Sequence, residues 1–334
     1  MINRKVSNPL SNIRVSPLAA ESFGVRSMCT LVETPDVVVL LDAGVSLCPW
    51  RFGLPPHPVE FQTIAKLRLK IADAANKANI VTVSHYHFDH HTPSFEDWVV
   101  NWTEANETAR QIYEGKIVLV KNPRAQINAS QRQRAYMFQK TGGKHAKTLA
   151  VADGKTFTYN KTKLSFSEPV VHGSQDSGLG WVIMAVVEYA DERFMFAPDV
   201  QGPMTQVTLE EILKVDPTVV MLGGPPLYLE GSKVESALLE KALRNLERIV
   251  MAIPVTIVEH HTLREEGWTG KLSGAFEVAS AAGHVVLTAA EYAGEENVFL
   301  ESKRRQHYQL APPSEEFKQW MKTLGSQNIV KPPL

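Results

Sequence analysis

The chain has 334 residues, and its 35 Lys and Arg against 36 Asp and Glu give a formal net charge of −1. This balance argues against a protein that coats nucleic acid over its whole surface, and an apolar fraction of 44% is typical of a globular protein with a large core. The 2 cysteines exclude a disulfide framework, and we find neither an apolar run of about 18 residues nor the apolar region of a signal peptide, so we expect a cytoplasmic protein with no membrane partner.

The first quarter of the chain alternates strands with a helix. Apolar and β-branched runs predict strands at 25–33 and 37–41. A loop rich in Pro and Gly follows, and apolar residues at helical spacing then predict a helix over 59–77. A short strand at 80–83 leads directly into a cluster of histidines. A polar cluster at the end of a buried strand is a common way for α/β proteins to present a site.

The remaining sequence also alternates helices and strands. Residues 96–147 are predicted to form a basic, mainly helical insertion with one strand at 117–120. Strands are then expected at 157–159, 164–166, 181–189 and 193–196, and helices and strands in turn at 209–213, 218–222, 234–251 and 255–258. The tail, at about 263–325, is predicted to form a helical C-terminal extension. Because no linker-like composition separates these parts, we expect a single domain over 1–334.

The histidine cluster is the segment that indicates chemistry. Its residues run Ser84-His85-Tyr86-His87-Phe88-Asp89-His90-His91. Alternation past a strand places His85 and His87 on one face, and a following turn can aim Asp89 and His90 at a second point nearby. Imidazole and carboxylate groups are suitable zinc ligands. The alternative is a surface loop that binds metal only adventitiously, which the preceding buried strand disfavours.

The motif His-x-His-x-Asp-His at 85–90 resembles the signature of the metallo-β-lactamase superfamily. Further marks of that superfamily follow in the expected order, and they are Asp42 after an early strand, His172-Gly173, Asp199 after a hairpin, and a final histidine at 260 or 261. The sequence looks most like a little-characterised, mostly archaeal branch of metal-dependent hydrolases. The resemblance implies an α/β fold, a four-layer αββα sandwich of two mixed β-sheets with helices on the outer faces.

The same resemblance implies a role for each matching residue. The first of two metal ions would be held by His85, His87 and His172, and the second by Asp89, His90 and the last histidine. Asp199 would bridge both ions, and Asp42 would orient a ligand from behind. Two Zn²⁺ ions fit these nitrogen and oxygen ligands, with Mn²⁺ or Fe as alternatives. A zinc-bridged hydroxide would attack the substrate, and Asp89 would accept its proton.

Two assignments stay open between alternatives. The segment 259–264 resembles the His-Phe-Ser-x-Arg ending of the tRNA 3′-processing branch, which favours His260 as the last metal ligand over His261. His91, next to the ligands, is a candidate proton donor to the leaving group, and equally a candidate for a hydrogen bond to a ligand or to the backbone.

The substrate is less well indicated than the metal centre. Residues 110–147 carry a single acid, Glu114, against nine positive side chains: Arg110, Lys116, Lys121, Arg124, Arg132, Arg134, Lys140, Lys144 and Lys147. This excess suits a phosphodiester or nucleotide-like small molecule and could extend to nucleic acid, although a solvated helical face is slightly favoured. The alternatives are a hydrolase of thioesters, lactones or amides, and a non-catalytic, metal-stabilised binding protein. The sequence does not indicate an oligomeric state.

Overall fold

A computed structural model describes residues 9–324 and 330–334. Its fifteen strands are β1 (Arg14–Pro17), β2 (Thr30–Glu33), β3 (Val38–Leu41), β4 (Ile80–Val83), β5 (Ile117–Val120), β6 (Thr148–Val151), β7 (Thr156–Tyr159), β8 (Thr162–Phe166), β9 (Val170–Val171), β10 (Trp181–Val182), β11 (Ala185–Tyr189), β12 (Glu192–Ala197), β13 (Val219–Gly223), β14 (Val255–Glu259) and β15 (Val285–Leu287).

The ten α-helices of the described residues alternate with these strands. They are α1 (Pro58–Lys77), α2 (Ala105–Tyr113), α3 (Ala129–Lys140), α4 (Gln206–Val215), α5 (Ser236–Ala252), α6 (Trp268–Lys271), α7 (Ser273–Ala282), α8 (Ala289–Tyr292), α9 (Arg304–Leu310) and α10 (Glu315–Met321). Short 3₁₀ turns lie at Gly142–His145, Leu227–Leu229 and His260–Arg264.

Two large mixed sheets form the centre of the fold. The first has the order β1-β2-β3-β4-β5-β6, antiparallel as far as β3 and parallel from β3 onward. The second has the order β15-β14-β13-β12-β11-β8-β7, parallel from β15 to β12 and antiparallel beyond. A separate pair, β9 and β10, is antiparallel. In each large sheet, the parallel strands direct their carboxyl ends to one edge.

The side chains of β12 show how the layers are stacked. Phe194 and Phe196 belong to the core between the two sheets, whereas Met195 and Ala197 point to a second core shared with α4, α5 and α7. The sheets meet directly, because the Thr30 hydroxyl lies 3.3 Å from the Met221 sulfur. On the other side of the molecule, the buried face of α1 packs against the first sheet. The arrangement is therefore αββα, and the predicted fold class is confirmed.

Several elements differ from those predicted. The short strands β1, β6, β9 and β15 were not expected, and the predicted strand 181–189 is divided between β10 and β11, which belong to different sheets. Strand β15 lies inside the tail that was expected to be helical, and residue 325 of that tail lies outside the described residues. Within the segment 96–147, β5 pairs with both β4 and β6, so part of this segment belongs to the first sheet.

No helix within residues 9–324 and 330–334 is long and apolar enough to cross a lipid bilayer. Residues 1–8, on which the expectation of no signal peptide partly rests, lie outside the described part of the chain.

Gly44 allows the loop after β3 to pass against the histidine cluster. A Cβ atom at this position would lie 2.3 Å from the backbone nitrogen of His91 and 2.4 Å from that of His90. Because backbone atoms cannot move aside cheaply, we expect Gly44→Ala to lower the free energy of unfolding by about 1–3 kcal/mol or more.

Chemical denaturation measures this effect, with Gly267→Ala as the matched control. A Cβ at position 267 meets no atom within 4 Å, so this variant should stay within about 0.5 kcal/mol of the native chain. Equal unfolding midpoints for the two variants would show that the contact at Gly44 has no such role.

Candidate metal centre

The candidate site lies where several strands end. Asp42, His260 and His172 directly follow β3, β14 and β9, and His85 and Asp199 are the second residues after β4 and β12. Because neighbouring parallel strands bring their carboxyl ends to one edge, residues far apart in sequence meet there. The predicted site residues Asp42, His85, His87, Asp89, His90, His172, Asp199 and His260 are brought together in this way.

Asp199 lies at the centre of the cluster and is 1% exposed. Its Oδ2 atom lies close to four imidazoles, at 2.8 Å from His172 Nε2, 3.2 Å from His85 Nε2, 3.3 Å from His90 Nε2 and 3.9 Å from His87 Nδ1. Its Oδ1 atom lies 3.1 Å from His260 Nε2 and 3.5 Å from His261 Nε2. The two carboxylate oxygens therefore face two different groups of histidines.

Four of these buried ligand atoms lie close to another ligand atom but make no hydrogen bond of good geometry with the described residues. These atoms are His90 Nε2, His172 Nε2, His261 Nε2 and Asp199 Oδ1. A buried polar atom without a well-formed hydrogen bond is costly, and four of them directed at one small region need a common explanation. A metal ion supplies it, because imidazole nitrogen and carboxylate oxygen are its ordinary ligands. The residues present therefore fit a metal centre.

The ligand atoms fall into groups whose members lie within 4.8 Å of one another. One group is His85, His87, His172 and Asp199, and another is Asp89, His90 and His260. They contain the residues of the two sets that the sequence resemblance implied, and a further group joins Asp42, His85 and His90. His260 Nε2 lies 3.4 Å from Asp89 Oδ2, which favours His260 for the second set. His261 groups instead with Asp199 and His260.

The outward-facing nitrogens of two histidines contact buried carboxylates. His90 Nδ1 lies 2.8 Å from Asp42 Oδ2, and Asp42 also accepts hydrogen bonds from the backbone nitrogen and hydroxyl of Ser84. His260 Nδ1 lies 2.9 Å from Glu21 Oε2. A carboxylate in this position accepts a hydrogen bond from Nδ1–H, which keeps the proton on Nδ1 and leaves the Nε2 lone pair free for a metal ion.

The histidines and carboxylates of the cluster shift one another's pKa values. Burial disfavours charge on His90, but Asp199 and Asp42 outweigh it and raise its pKa well above the usual value. Burial is likewise outweighed at His260, where Glu21 and Asp199 raise the pKa to about 9. Burial would raise the pKa of Asp199, yet the surrounding histidines hold it well below its usual range. The cluster is thus suited to hold positive charge next to buried carboxylates.

A cavity of about 1110 Å³ opens onto these ligands. Its wall includes His87, Asp89, His172, Asp199, His260 and His261. Six positive side chains also line it: Arg26, Arg51, Arg134, Lys233, Lys241 and Arg264. The ligand cluster is therefore accessible to a small molecule on one side and buried on the others.

Comparison with curated proteins identifies the family. A UPF0282 protein of Methanopyrus kandleri is 41% identical over 292 residues, which cover 87% of this chain and 98% of that protein. A UPF0282 protein of Pyrobaculum islandicum is 42% identical over 298 residues, covering 89% of this chain and 95% of that protein. The chain belongs to the UPF0282 family. No protein-family model matches it.

Solved structures similar to this UPF0282 chain include metal-dependent hydrolases of the β-lactamase superfamily. A possible metal-dependent hydrolase from Veillonella parvula aligns with a TM-score of 0.48 at 13% identity, over 83% of this chain and 95% of that chain. The short form of human tRNase Z aligns with a TM-score of 0.39 at 9% identity, over 75% of this chain and 92% of that chain. At this level of similarity, these structures indicate neither a function nor a substrate for this chain.

His91 does not line the cavity. Its Nδ1 atom lies 2.9 Å from the backbone carbonyl of His87, and its ring packs against Tyr86, Phe88 and Phe138. Burial lowers the pKa of His91 to about 3. Of the two roles considered for His91, the structure therefore agrees with a hydrogen bond to the backbone and not with proton donation to a leaving group.

The basic segment 110–147 contributes only Arg134 to the cavity wall. Arg110 pairs with Glu107 of the same helix and with Glu114 just after it, and Lys121 is buried against Asp153. The sequence shows that positive residues are frequent in this segment, but it does not show the direction of their side chains. Most of these side chains do not reach the cavity.

The sequence did not reveal the residues that contact the ligands from remote parts of the chain. Glu21 lies 239 positions from the histidine it contacts, so no local spacing could reveal it. Arg264 lines the cavity and lies 2.7 Å from Glu21, and Tyr228 lies 3.2 Å from Arg264. The arginine stands in the segment 259–264, whose resemblance to the tRNA-processing ending was the one available signal.

Replacing Asp199 should affect both groups of ligands, because its two oxygens face both. We expect Asp199→Ala to lose tight binding of both metal ions, and His172→Ala to lose one. Metal analysis after dialysis against zinc measures this, with circular dichroism to establish folding. His145→Ala is the control, because this histidine lies outside the cluster, with Nε2 3.0 Å from Asn106 Oδ1, and the variant should retain both ions. A folded Asp199→Ala protein with two tightly bound ions would contradict the bridging role.

Proposed function

We propose that this UPF0282 chain is a metal-dependent hydrolase that acts on a phosphodiester or another phosphate-bearing small molecule. One divalent ion would be held by His85, His87 and His172, the other by Asp89, His90 and His260, and Asp199 would lie between them. The observation that carries the proposal is the convergence of buried imidazole nitrogens on the Asp199 carboxylate, without well-formed hydrogen bonds, at the floor of an open cavity.

Zinc suits the ligands best, because the group around His85, His87 and His172 is rich in nitrogen. Bound there, two such ions would lower the pKa of a coordinated water to about 7 and polarise the attacked oxygen of a substrate. A closed structural site would need neither a cavity nor a second group of ligands. This favours a hydrolase over a metal-stabilised binding protein.

The residues around the ions would accept a proton and stabilise charge on the substrate. Asp89 is partly exposed on the cavity wall, with Oδ2 3.4 Å from His260 Nε2, so this carboxylate can accept a proton at the site of reaction. Arg264, whose guanidinium lies 3.9 Å from Asp89, can offset negative charge that develops on the substrate. We assign no step to His91, because it lies outside the cavity wall.

The charge of the wall supports an anionic substrate. The acidic residues on it are Asp89, Asp176, Asp199 and Glu235, and two of them would be metal ligands. The positive side chains on the wall outnumber them, and Arg134, Lys233 and Lys241 form no ion pair within the described residues. Such a wall attracts phosphate more strongly than it attracts a neutral ester. Nucleotide-like molecules and nucleic acid ends both meet this requirement.

A panel of substrates tests the reaction. Zinc-loaded protein should hydrolyse a chromogenic phosphodiester faster than a thioester, a lactone or a β-lactam. The Asp199→Ala protein serves as the inactive control. Turnover of a neutral thioester or lactone, together with no phosphodiesterase activity, would contradict the phosphate assignment and favour the alternative hydrolase. Two bound ions without turnover of any of these would contradict the proposed reaction.

Arg134 provides a test of the charged wall. Its guanidinium lies 4.8 Å from the centre of the Phe88 ring and faces the cavity. We expect Arg134→Gln to raise KM roughly two- to fivefold with kcat nearly constant, because a half-exposed charge contributes at most about 1 kcal/mol to binding. Added salt should reduce the difference.

Lys144→Gln is the matched control for that variant. Lys144 belongs to the same basic segment, but it is exposed and does not line the cavity, so its KM should stay at the native value. Equal KM values for the two variants would show that the wall does not select for charge.

A further inference from the structure

The loop after β1 brings a carboxylate to the back of the proposed metal centre. Glu21 is 5% exposed, and its Oε2 atom lies 2.9 Å from His260 Nδ1. Its Oε1 atom accepts a hydrogen bond of 2.8 Å from Arg264 Nε and lies 2.7 Å from Arg264 NH2. One side chain thus contacts both a candidate metal ligand and the arginine on the cavity wall.

We propose that Glu21 is a positioning residue that holds His260 and Arg264 in the arrangement the second metal ion requires. The inference rests on the proposed function, because it concerns the same ligands. It goes beyond that function by assigning a role to a residue outside every motif of the sequence.

The backbone around Glu21 is held by three parts of the chain. The neighbouring Ser22 nitrogen lies 3.4 Å from Glu259 Oε2, and the Ser22 hydroxyl and carbonyl accept hydrogen bonds from the backbone nitrogens of Ala290 and Val298. Because Glu259 directly precedes His260, the loop and the ligand are fixed to one another. A carboxylate held this firmly can orient its partners rather than follow them.

The outward nitrogens of the other histidines show what Glu21 adds. In the group around the second ion, His90 contacts Asp42 and His260 contacts Glu21, so both imidazoles have a carboxylate behind them. In the group around the first ion, His85 Nδ1 contacts the hydroxyl of Ser84, and the ring of His172 contacts the amide of Gln201. A carboxylate partner makes an imidazole a stronger ligand than a neutral partner does. Glu21 therefore does for His260 what Asp42 does for His90.

Glu21 also pairs with a positive charge that lies beside the place of the second ion. Arg264 NH2 lies 3.1 Å from His260 Nε2 and 3.9 Å from Asp89 Oδ2, so a buried positive charge stands next to two of the ligand atoms. The negative charge of Glu21 neutralises it there. Without that charge, the guanidinium would repel a divalent cation and compete for Asp89.

Replacing Glu21 with the isosteric Gln removes the charge and keeps the shape. We expect Glu21→Gln to weaken the binding of one of the two metal ions by about 10- to 100-fold, as the loss of such outer partners does in metal sites, and to leave the other ion unchanged. Competition with a chelator measures the two zinc dissociation constants.

Glu301→Gln is the matched control. Glu301 is also a buried carboxylate paired with an arginine, at 2.6 Å from Arg26, but no contact joins it to a histidine of the site within the described residues. This variant should bind both ions as the native chain does. If both variants lose affinity equally, the effect is a general loss of packing and the role of Glu21 is overturned. Native affinity in Glu21→Gln overturns it as well.

Failure of the proposed function has a different signature. A native chain that binds fewer than two ions would overturn the two-metal proposal, and the inference with it. If Glu21→Gln does not fold, the zinc-loaded native chain still provides a test. Nitrogen-15 NMR of His260 should show the proton on Nδ1 and the metal on Nε2, and the opposite tautomer would overturn the role of Glu21.

Discussion

The burial of the Asp199 carboxylate is the interaction on which the site depends. A buried negative charge is tolerated only when positive or hydrogen-bonding groups surround it, and here these groups are imidazoles from separate segments of the chain. The ends of β4, β9, β12 and β14 must therefore meet in one place. The two sheets and their parallel strands bring these ends together, so the fold supplies the groups that the buried carboxylate needs.

The segments behind the ligands are joined by buried ion pairs. Arg304 in the tail is fully buried and lies 2.7 Å from Glu60 of α1. It also donates a hydrogen bond to the carbonyl of Cys48, in the loop between β3 and α1 that lines the cavity. Arg26 and Glu301 connect the N-terminal loop with the same tail. Buried pairs of this kind contribute little net stability, but breaking one leaves an uncompensated charge. They therefore act mainly to keep the loop, the tail and the cavity wall in a single arrangement.

The sequence could predict most side chains of the candidate site because they are local. Residues 85–90 stand in one short motif directly after the buried strand β4, so their closeness follows from the sequence alone. The contact between Glu21 and His260 could not be predicted, since only the folded chain brings them together. The short strand β15 was missed for a similar reason: its three half-buried residues have no pattern of their own, and its pairing with β14 defines it.

Charge along the sequence was a poorer guide than ligand spacing. The nine positive residues of 110–147 left a binding surface and a solvated helical face both open, with the solvated face slightly favoured. Only Arg134 among them reaches the cavity, while Lys233, Lys241 and Arg264 come from other segments. The direction of a side chain depends on the helix face and the packing around it, which composition does not contain. Ligand types are restricted by chemistry, whereas a lysine on a helix is compatible with many surroundings.

We expect two metal ions to share Asp199. Crystals grown with zinc and measured at wavelengths on both sides of the zinc absorption edge would locate the ions. Two anomalous peaks should flank the Asp199 carboxylate, one beside His85, His87 and His172 and the other beside Asp89, His90 and His260. A single peak, or two peaks of which neither contacts Asp199, would contradict it.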